Sequence, residues 1–519
     1  MIEQPRRQST AAKRRGRRRI LTWVGLRRLS QAAFLLLFVY LLLATTRGGL
    51  TYLPHDLFFR VDPLAAFTAM IAGRQWLAPL ALALTIPLLT VLAGRFWCGW
   101  LCPLGTLIDW TRLRRRRRLG EPDLPAVWRS LKHVVLSTLL LAALLGNLTL
   151  LFLDPITLLF RSITVAVLPA LAALIGRIDE ALYRVGPLQG TAEQIDAFAR
   201  RGLPVDQPAV WQSAIPLAVM ILVIFALNAV RPRFWCRYVC PLGAMLALLS
   251  KVAWLRQSVD ASACSSCGLC AGACSMGAIS QSRGFVADPA ECTMCMSCEA
   301  ACNRGAVSFR GHLSPAPWRP YDPSRRQALG TIAALGAGAG LIALSPKIAG
   351  NAAKPIRPPG AAGEGFFDLC IRCGECLKVC PTRGLQPSMS LRDLGGFMTP
   401  VLVPRTGYCA FSCNACGYAC PTGALPPLSL DEKRRSVLGV ARIDERRCLP
   451  WSQGVDCIVC QEMCPLPDKA IVLKGGDGRG NGRAKRPRVV EERCTGCGTC
   501  EYHCPLEGEA AIRVGAIDG

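Results

Sequence analysis

The chain holds 28 cysteines among 519 residues, and every one falls in a short-spaced group. Four groups share the spacing C-x2-C-x2-C-x3-C: Cys264, Cys267, Cys270 and Cys274; Cys292, Cys295, Cys298 and Cys302; Cys370, Cys373, Cys376 and Cys380; and Cys494, Cys497, Cys500 and Cys504. Two variants join them. One is C-x3-C-x2-C-x3-C at Cys409, Cys413, Cys416 and Cys420, and the other is C-x8-C-x2-C-x3-C at Cys448, Cys457, Cys460 and Cys464. In such a run three thiolates on a tight loop hold three irons of one [4Fe-4S] cubane, and the fourth cysteine ligates the neighbouring cluster. Six runs thus predict six [4Fe-4S] clusters on these 24 cysteines.

The same rule predicts pairing within residues 264–302. One cluster takes Cys264, Cys267, Cys270 and Cys302, and its partner takes Cys292, Cys295, Cys298 and Cys274. In the last four runs the spacing leaves the pairing open: first with second and third with fourth, or first with fourth and second with third. Structural zinc prefers two C-x2-C pairs separated by a longer gap, which these runs do not match. A secreted disulfide scaffold would spread its cysteines along the chain. No C-x-x-C-H occurs, and the chain has only four histidines, so no haem motif is found, nor a flavin motif.

The remaining four cysteines form a different pattern. RFWCGWLCPLG begins at Arg95 and RFWCRYVCPLG at Arg233, an internal repeat offset by 138 residues. Cys98 and Cys102, like Cys236 and Cys240, stand at i,i+4, on one face if the helix continues, with Pro103 and Pro241 ending or kinking it. Three readings fit: ligands of a seventh cluster, a redox dithiol, or small buried packing residues.

Something apolar must carry these groups. The chain is 51% hydrophobic with mean hydropathy +0.31. Four runs approach the ~20 apolar residues that a bilayer requires: about 31–46, 76–94, 131–153 and 211–230. A weaker fifth, Gln327–Ser345, is rich in Gly and Ala. The stretch Ile163–Gly176 is apolar but short and contains Pro169, so it is expected at the interface rather than across it. Residues 1–30 carry ten Lys+Arg, 47–75 three, 95–130 eight and 154–210 five. The positive-inside rule then puts the N-terminus in the cytoplasm. Net charge is +26, but its arginines flank apolar runs, which fits topology signals and anionic lipid better than nucleic acid.

Five regions follow: a basic cytoplasmic N-terminus (1–30), a four-helix membrane domain with both C-x-x-x-C-P motifs (31–255), a two-cluster ferredoxin domain (256–312), an anchor and linker (313–365) and a four-cluster ferredoxin domain (366–519). The fold class is an α-helical membrane domain of four to five transmembrane helices plus α+β bacterial-type ferredoxin domains. Ser324-Arg325-Arg326-Gln327-Ala328-Leu329 ahead of the weak fifth segment looks like a twin-arginine export signal. The two-cluster domain is then expected in the cytoplasm and the four-cluster domain in the periplasm of a bacterial inner membrane. His133, Asp154 and Arg161 flank the third segment and could touch a quinol, although interfacial or structural roles are the commoner case. No catalytic residue is assigned.

Residues 1–310 resemble the NapH-type membrane quinol dehydrogenase subunit, in four spanning segments, two C-x-x-x-C-P motifs and a two-cluster ferredoxin tail. Residues 324–519 resemble NapG/MauM-type periplasmic ferredoxins, in SRRQALG, CIRCGECLKVCP, CPTGAL, ARIDERRCLPW, CQEMCPLPDKAI and CTGCGTCEYHCP. The resemblance implies a fusion of the two, passing electrons from membrane quinol to a periplasmic reductase or cytochrome. Its rival is an electron-donating maturation factor for another redox enzyme's cofactor.

Overall fold

The computed structural model describes residues 6–45, 54–111, 126–184, 211–312, 354–361, 365–390, 394–475 and 484–517, with a few isolated positions between them. Its centre is a helical bundle. α1 (Arg6–Ala44) joins the basic N-terminus and the first apolar run in one 39-residue helix. α2 (Pro63–Gly73) is capped by Asp62, whose carboxylate accepts from Leu64 and Ala65 N–H. The second expected span is not one α-helix: Ala78–Leu84 is 3-10 and α3 (Thr85–Ala93) continues it. α6 (Ala126–Leu144) ends nine residues before the third expected span does, and Thr149–Leu153 is a separate 3-10 turn. α9 (Ala214–Val230) matches the fourth.

The repeat folds as two broken helices. α4 (Phe96–Trp100) stops before Cys102, which becomes the N-cap of α5 (Pro103–Trp110). α10 (Phe234–Tyr238) and α11 (Pro241–Leu249) repeat this around Cys240. The helix therefore does not continue through C-x-x-x-C, because each proline serves at the first position of a new helix, where its missing N–H costs nothing.

Ile163–Gly176 departs from expectation. It belongs to a continuous helical stretch from Pro155 to Tyr183, 29 residues long. α7 (Pro155–Ser162) passes through a π turn at Ile163–Val167 into α8 (Leu168–Tyr183). Proline usually breaks a helix by clashing with the carbonyl four residues back. The π turn widens the ladder just ahead of Pro169, which sits in the first turn of α8, so the chain accommodates it. This stretch and Trp23–Ala44 are the two helices, among the described residues, long and apolar enough to cross a membrane. Ala78–Ala93 and Ala214–Val230 are apolar but shorter.

Two ferredoxin-type bodies cap opposite ends of the bundle. At one end, residues 255–311 are closed by the antiparallel pair β1 (Leu255–Val259) and β2 (Val307–Gly311). There Arg129 at the start of α6 donates to Gly277 O, and Trp254 N–H donates to Val91 O at the end of α3. At the other end, Thr149 after α6 donates to Leu394 O. Gln212 N–H, just ahead of α9, donates to Gln386 Oε1. α1, the 78–93 segment, α6 and α9 thus each run from one end to the other. α7 starts at the second end and α8 buries no residue.

The second body divides in two. β5 (Val440–Ile443) pairs with β8 (Ile512–Gly515) around an inner pair, β6 (Ile471–Lys474) with β7 (Arg486–Val489). This unit repeats the layout of 255–311, where an inner bridge Ile279–Ala287 lies inside the outer pair. The preceding unit carries β3 (Leu385–Pro387) and β4 (Pro400–Leu402). Most of the expected fifth segment lies outside the described residues. Ala333, Gly336, Gly338 and Gly340 are helical, and a Cβ at Gly338 would touch Thr138 of α6 at 3.5 Å. The twin-arginine stretch also lies outside the described residues.

Candidate metal centres

Each C-x2-C-x2-C run wraps its loop by the same backbone device. The residues two and four places after the first cysteine have positive φ: Ser266 and Gly268, Met294 and Met296, Arg372 and Gly374, Gly496 and Gly498. Alternating left-handed residues turn successive N–H groups to one side, which makes an anion-binding concavity. Ser266, Met294, Met296 and Arg372 adopt this conformation at a cost of about 1–2 kcal/mol each. Spacing revealed the cysteines, but these strained non-glycine positions carried no sequence signal.

Four cavities show which thiols meet. One is lined by Cys264, Cys267, Cys270 and Cys302, and a second by Cys274, Cys292, Cys295 and Cys298. A third has Cys380 with Cys409, Cys413 and Cys416, and a fourth has Cys504 with Cys448, Cys457 and Cys460. Each takes three cysteines from one run and the fourth from its neighbour. In the last domain the first run therefore pairs with the second and the third with the fourth. Cys370, Cys373 and Cys376 lie beside Cys420, and Cys464 packs with Cys494 and Cys500. Backbone N–H groups also reach the sulfurs: Ala278 donates to Cys274 Sγ at 3.3 Å and Leu425 to Cys420 Sγ at 3.4 Å. Thiol donors on tight loops, enclosed apolar walls and inward N–H groups fit a [4Fe-4S] cubane. When bound, such a cluster takes up and releases one electron at a time; the protein's part is to hold it, insulate it and set its neighbours.

The units form a row. Cys373 and Ile371 belong to the same buried core as the bundle helices. Cys409 N–H donates to Cys497 O at 2.8 Å, joining the second run to the fourth. The order away from the bundle is therefore the Cys370, Cys409, Cys494 and Cys448 runs.

The repeat brings Cys98, Cys102, Cys236 and Cys240 together at the first end of the bundle, all buried. Burial, then Cys98 and Cys236, pushes the Cys102 thiol up. Burial pushes Cys236 up to about 11, against the pull of Arg233. Gly105 N–H points at Cys102 Sγ at 3.5 Å and Gly243 N–H at Cys240 Sγ at 3.2 Å. Both repeat arginines are buried beside the thiols. Arg233 forks onto Asp109, Nε to Oδ1 at 2.7 Å and Nη2 to Oδ2 at 2.6 Å, and also donates to Cys98 O. Arg95 donates instead to Ala290 O at 2.9 Å and meets Glu291, which also accepts from Lys132 at 2.5 Å. Burial raises the Glu291 carboxyl, but Lys132 and Arg95 outweigh it, and the net shift is down. The ferredoxin-type body of residues 255–311 is thereby locked to the bundle.

At the other end Arg161 donates to Arg372 O at 2.8 Å and Phe152 O at 3.1 Å. Asp154 caps α7 through Ile156 and Thr157 N–H. These two residues have structural partners, the commoner case for such positions. His133 lies on α6, half-buried. Sequence reasoning passed over Asp109, Lys132, Glu291 and Arg372. Only the first had a visible signal: the repeat has Asp at 109 but Ala247 at the equivalent place.

A family described as "4Fe-4S binding domain" matches residues 75–120 and 213–260, and a second of the same description matches 366–386 and 487–507. The "Methylamine utilization ferredoxin-type protein MauM" of Methylorubrum extorquens is 39% identical over 208 residues, 38% of this chain and 90% of that protein. MauM of Methylophilus methylotrophus is 41% identical, over 32% of this chain and 72% of that protein. The "Ferredoxin-type protein NapG" of Escherichia coli is 36% identical, over 36% of this chain and 79% of that protein. No solved structure matches.

Proposed function

The chain belongs to the family of MauM- and NapG-type ferredoxins, iron–sulfur electron-transfer proteins, and from that premise we propose that it is a membrane-spanning electron conduit. It would carry six [4Fe-4S] clusters on the 24 cysteines of the six runs, oxidise membrane quinol, and hand electrons to a periplasmic reductase or cytochrome. Its membrane half would be of the NapH type.

One observation carries the reading: ferredoxin bodies cap both ends of an apolar bundle. α6 has 19 residues and α9 has 17, lengths of about 28 and 26 Å at ~1.5 Å per residue. The mixed 78–93 segment reaches about 28 Å because 3-10 turns rise ~2.0 Å per residue. These lengths approach the roughly 30 Å of a hydrocarbon core. Large apolar side chains face outward along the traverses: Leu36, Leu88, Leu144 and Leu222 are each more than half exposed, as lipid contact requires.

Parity also supports the topology. The length of Ile163–Gly176 no longer argues against a crossing, but contacts do. Arg161 before it and Gln212 after it both touch the four-cluster body, so the chain leaves and returns to one end. With Trp254–His312 at the other end and Ile356 back in the four-cluster body, the chain changes ends once more between them, where the sequence leads one to expect the fifth segment, Gln327–Ser345. The ten basic residues in 1–30 favour a cytoplasmic start and a periplasmic four-cluster body. An alkaline phosphatase fusion after Gly519 should be active, and one after Cys302 inactive. Activity in the reverse pattern overturns the topology. Purified protein should lose its visible iron–sulfur absorbance on adding a quinol analogue, and absorbance that persists overturns the quinol role.

A second reading is electron donation during maturation of another redox enzyme's cofactor; the MauM relatives are named for methylamine utilization rather than for a terminal reductase. A terminal reductase encoded beside this chain supports the conduit; a cofactor-bearing dehydrogenase there supports maturation.

A further inference from the structure

We propose that electrons leave this chain at the face formed by Trp451 and the β6–β7 hairpin, and that this face docks a one-electron carrier whose cofactor edge is ringed by carboxylates. The inference rests on the conduit reading and adds to it the exit point and the charge of the acceptor. In each encounter the carrier gains one electron and this chain loses one; no bond breaks and no proton moves.

The position follows from the row of runs. The cavity of Cys448, Cys457, Cys460 and Cys504 lies at its far end, away from the bundle. None of these four cysteines is buried, whereas Cys370, Cys373 and Cys376 beside the bundle all are. The long Cys448–Cys457 segment supplies the outer wall. It opens with a helical turn, Leu449–Ser452, whose Leu449 and Pro450 line the cavity. Trp451 donates its indole N–H to Pro487 O of β7 at 3.1 Å, and Pro487 lines the same cavity. The segment then shows apolar side chains to solvent: Val455 is 50% exposed and Ile458, just past Cys457, 49%.

Charge singles out the partner. Lys474 stands directly opposite Arg486 in the β6–β7 register, so both project from one face, and Arg488 follows two residues on, on that same face. Like charges directly opposite weaken a strand pair, so the fold gains nothing from this arrangement. Arg486 and Arg488 both lie over the Trp451 ring, 4.9 and 5.5 Å from its centroid, which holds the two cations against the cavity wall. Among the described residues, the side chains of Lys474, Lys485, Arg486 and Arg488 have no ion-pair partner, whereas Arg513 of the same unit pairs with Glu509 and Asp444. Asp456, in the Cys448–Cys457 segment, accepts from the backbone N–H of Lys485. An unopposed cationic strip beside a small apolar patch is the complement of a carboxylate-rimmed surface. Such complementarity speeds encounter more than it tightens binding, which suits a carrier that must leave after one electron. Redox encounters of this kind bury less than about 1,200 Å², so a small face suffices. The strip stands at the end of the row remote from the bundle, and so away from any bilayer around it.

The test reduces full-length protein in zwitterionic nanodiscs with dithionite, removes the excess, and follows electron transfer by stopped flow to two forms of one haem protein: native cytochrome c, which is basic, and succinylated cytochrome c, which is acidic. At low ionic strength the acidic form should be reduced at least about tenfold faster, an advantage that shrinks as salt rises. Arg486→Glu/Arg488→Glu should abolish or reverse that advantage. Arg283→Glu/Arg310→Glu changes net charge equally on the body at the other end of the bundle and should preserve it. An unchanged rate ratio in the first variant overturns the docking face, as does an equal loss in the second. Iron content reports folding of each variant. If the first loses iron, Lys474→Glu/Lys485→Glu, at two exposed positions of the hairpin, is read in its place and by the same criterion. Failure of the conduit reading is distinguishable, because dithionite supplies the electrons: it shows as protein that cytochrome c oxidises and quinol does not reduce.

Discussion

At the scale of single residues, the buried charges of the repeat make the sharpest predictions. Burial alone would raise the Asp109 carboxyl, yet the Arg233 fork holds it below the usual range. A carboxylate with a lowered pKa contributes stability that is full above its unfolded value of about 3.9 and is lost as pH falls through its folded value. The pair should therefore be indifferent to pH between about 5 and 9. Asp109→Asn leaves Arg233 buried without an anion and should cost about 3–5 kcal/mol, read as a lower thermal midpoint across that whole pH range. Gly99 gives a steric counterpart. A Cβ there would collide with the Thr293 carbonyl oxygen, so Gly99→Ala should loosen the two-cluster body and expose residues 255–311 to protease while the bundle stays folded. The cysteine spacings and the repeat made the chemistry of these sites legible. The anions did not announce themselves, because Glu291 lies 196 residues from Arg95 and nothing local marks it.

At the scale of elements, two helix caps face each other. Asp62 and Asp154 each cap a helix, α2 and α7, and each leaves a buried oxygen without another partner. Burial first, then the facing Asp154, holds the Asp62 carboxyl well above its usual range, and burial raises Asp154 too. A raised carboxyl contributes stability that is full below the unfolded pKa of about 3.9 and fades as pH rises through the folded one. Melting midpoints should accordingly decline as pH rises above about 4. Asp62→Asn, which keeps the cap oxygen and removes one charge, should flatten that decline; an unchanged slope would show that the pair carries no shared proton. The helices themselves were only partly legible. Apolar runs marked α1, α3, α6 and α9, but Pro169 looked like a breaker, because hydropathy and proline count cannot reveal a π turn placed to absorb it. Pairing in the last domain was closed to the sequence for a similar reason. Spacing is local, whereas strands β5 and β8, about seventy residues apart, decide which runs share a unit.

At the scale of the whole molecule, the row of runs beginning at Cys370 meets the bundle through Thr149, Gln212 and the buried guanidinium of Arg161. Arg161→Ala removes the bonds to Arg372 O and Phe152 O. Iron content should hold while quinol-driven bleaching of the four-cluster body slows at least tenfold; equal rates would show that Arg161 does not set the junction. The other junction carries a consequence for how the protein is made. Repeat two lacks the aspartate that serves Arg233, so Arg95 draws its counter-charge from Glu291, a residue that arrives only when the two-cluster body docks. A nascent chain whose ferredoxin body is still apo cannot present that loop, since metal supplies much of such a small domain's folding energy. Its helical bundle then stays strained and open at one end. Quality-control proteases would clear such chains, so iron starvation should deplete the entire polypeptide rather than leave an empty helical shell.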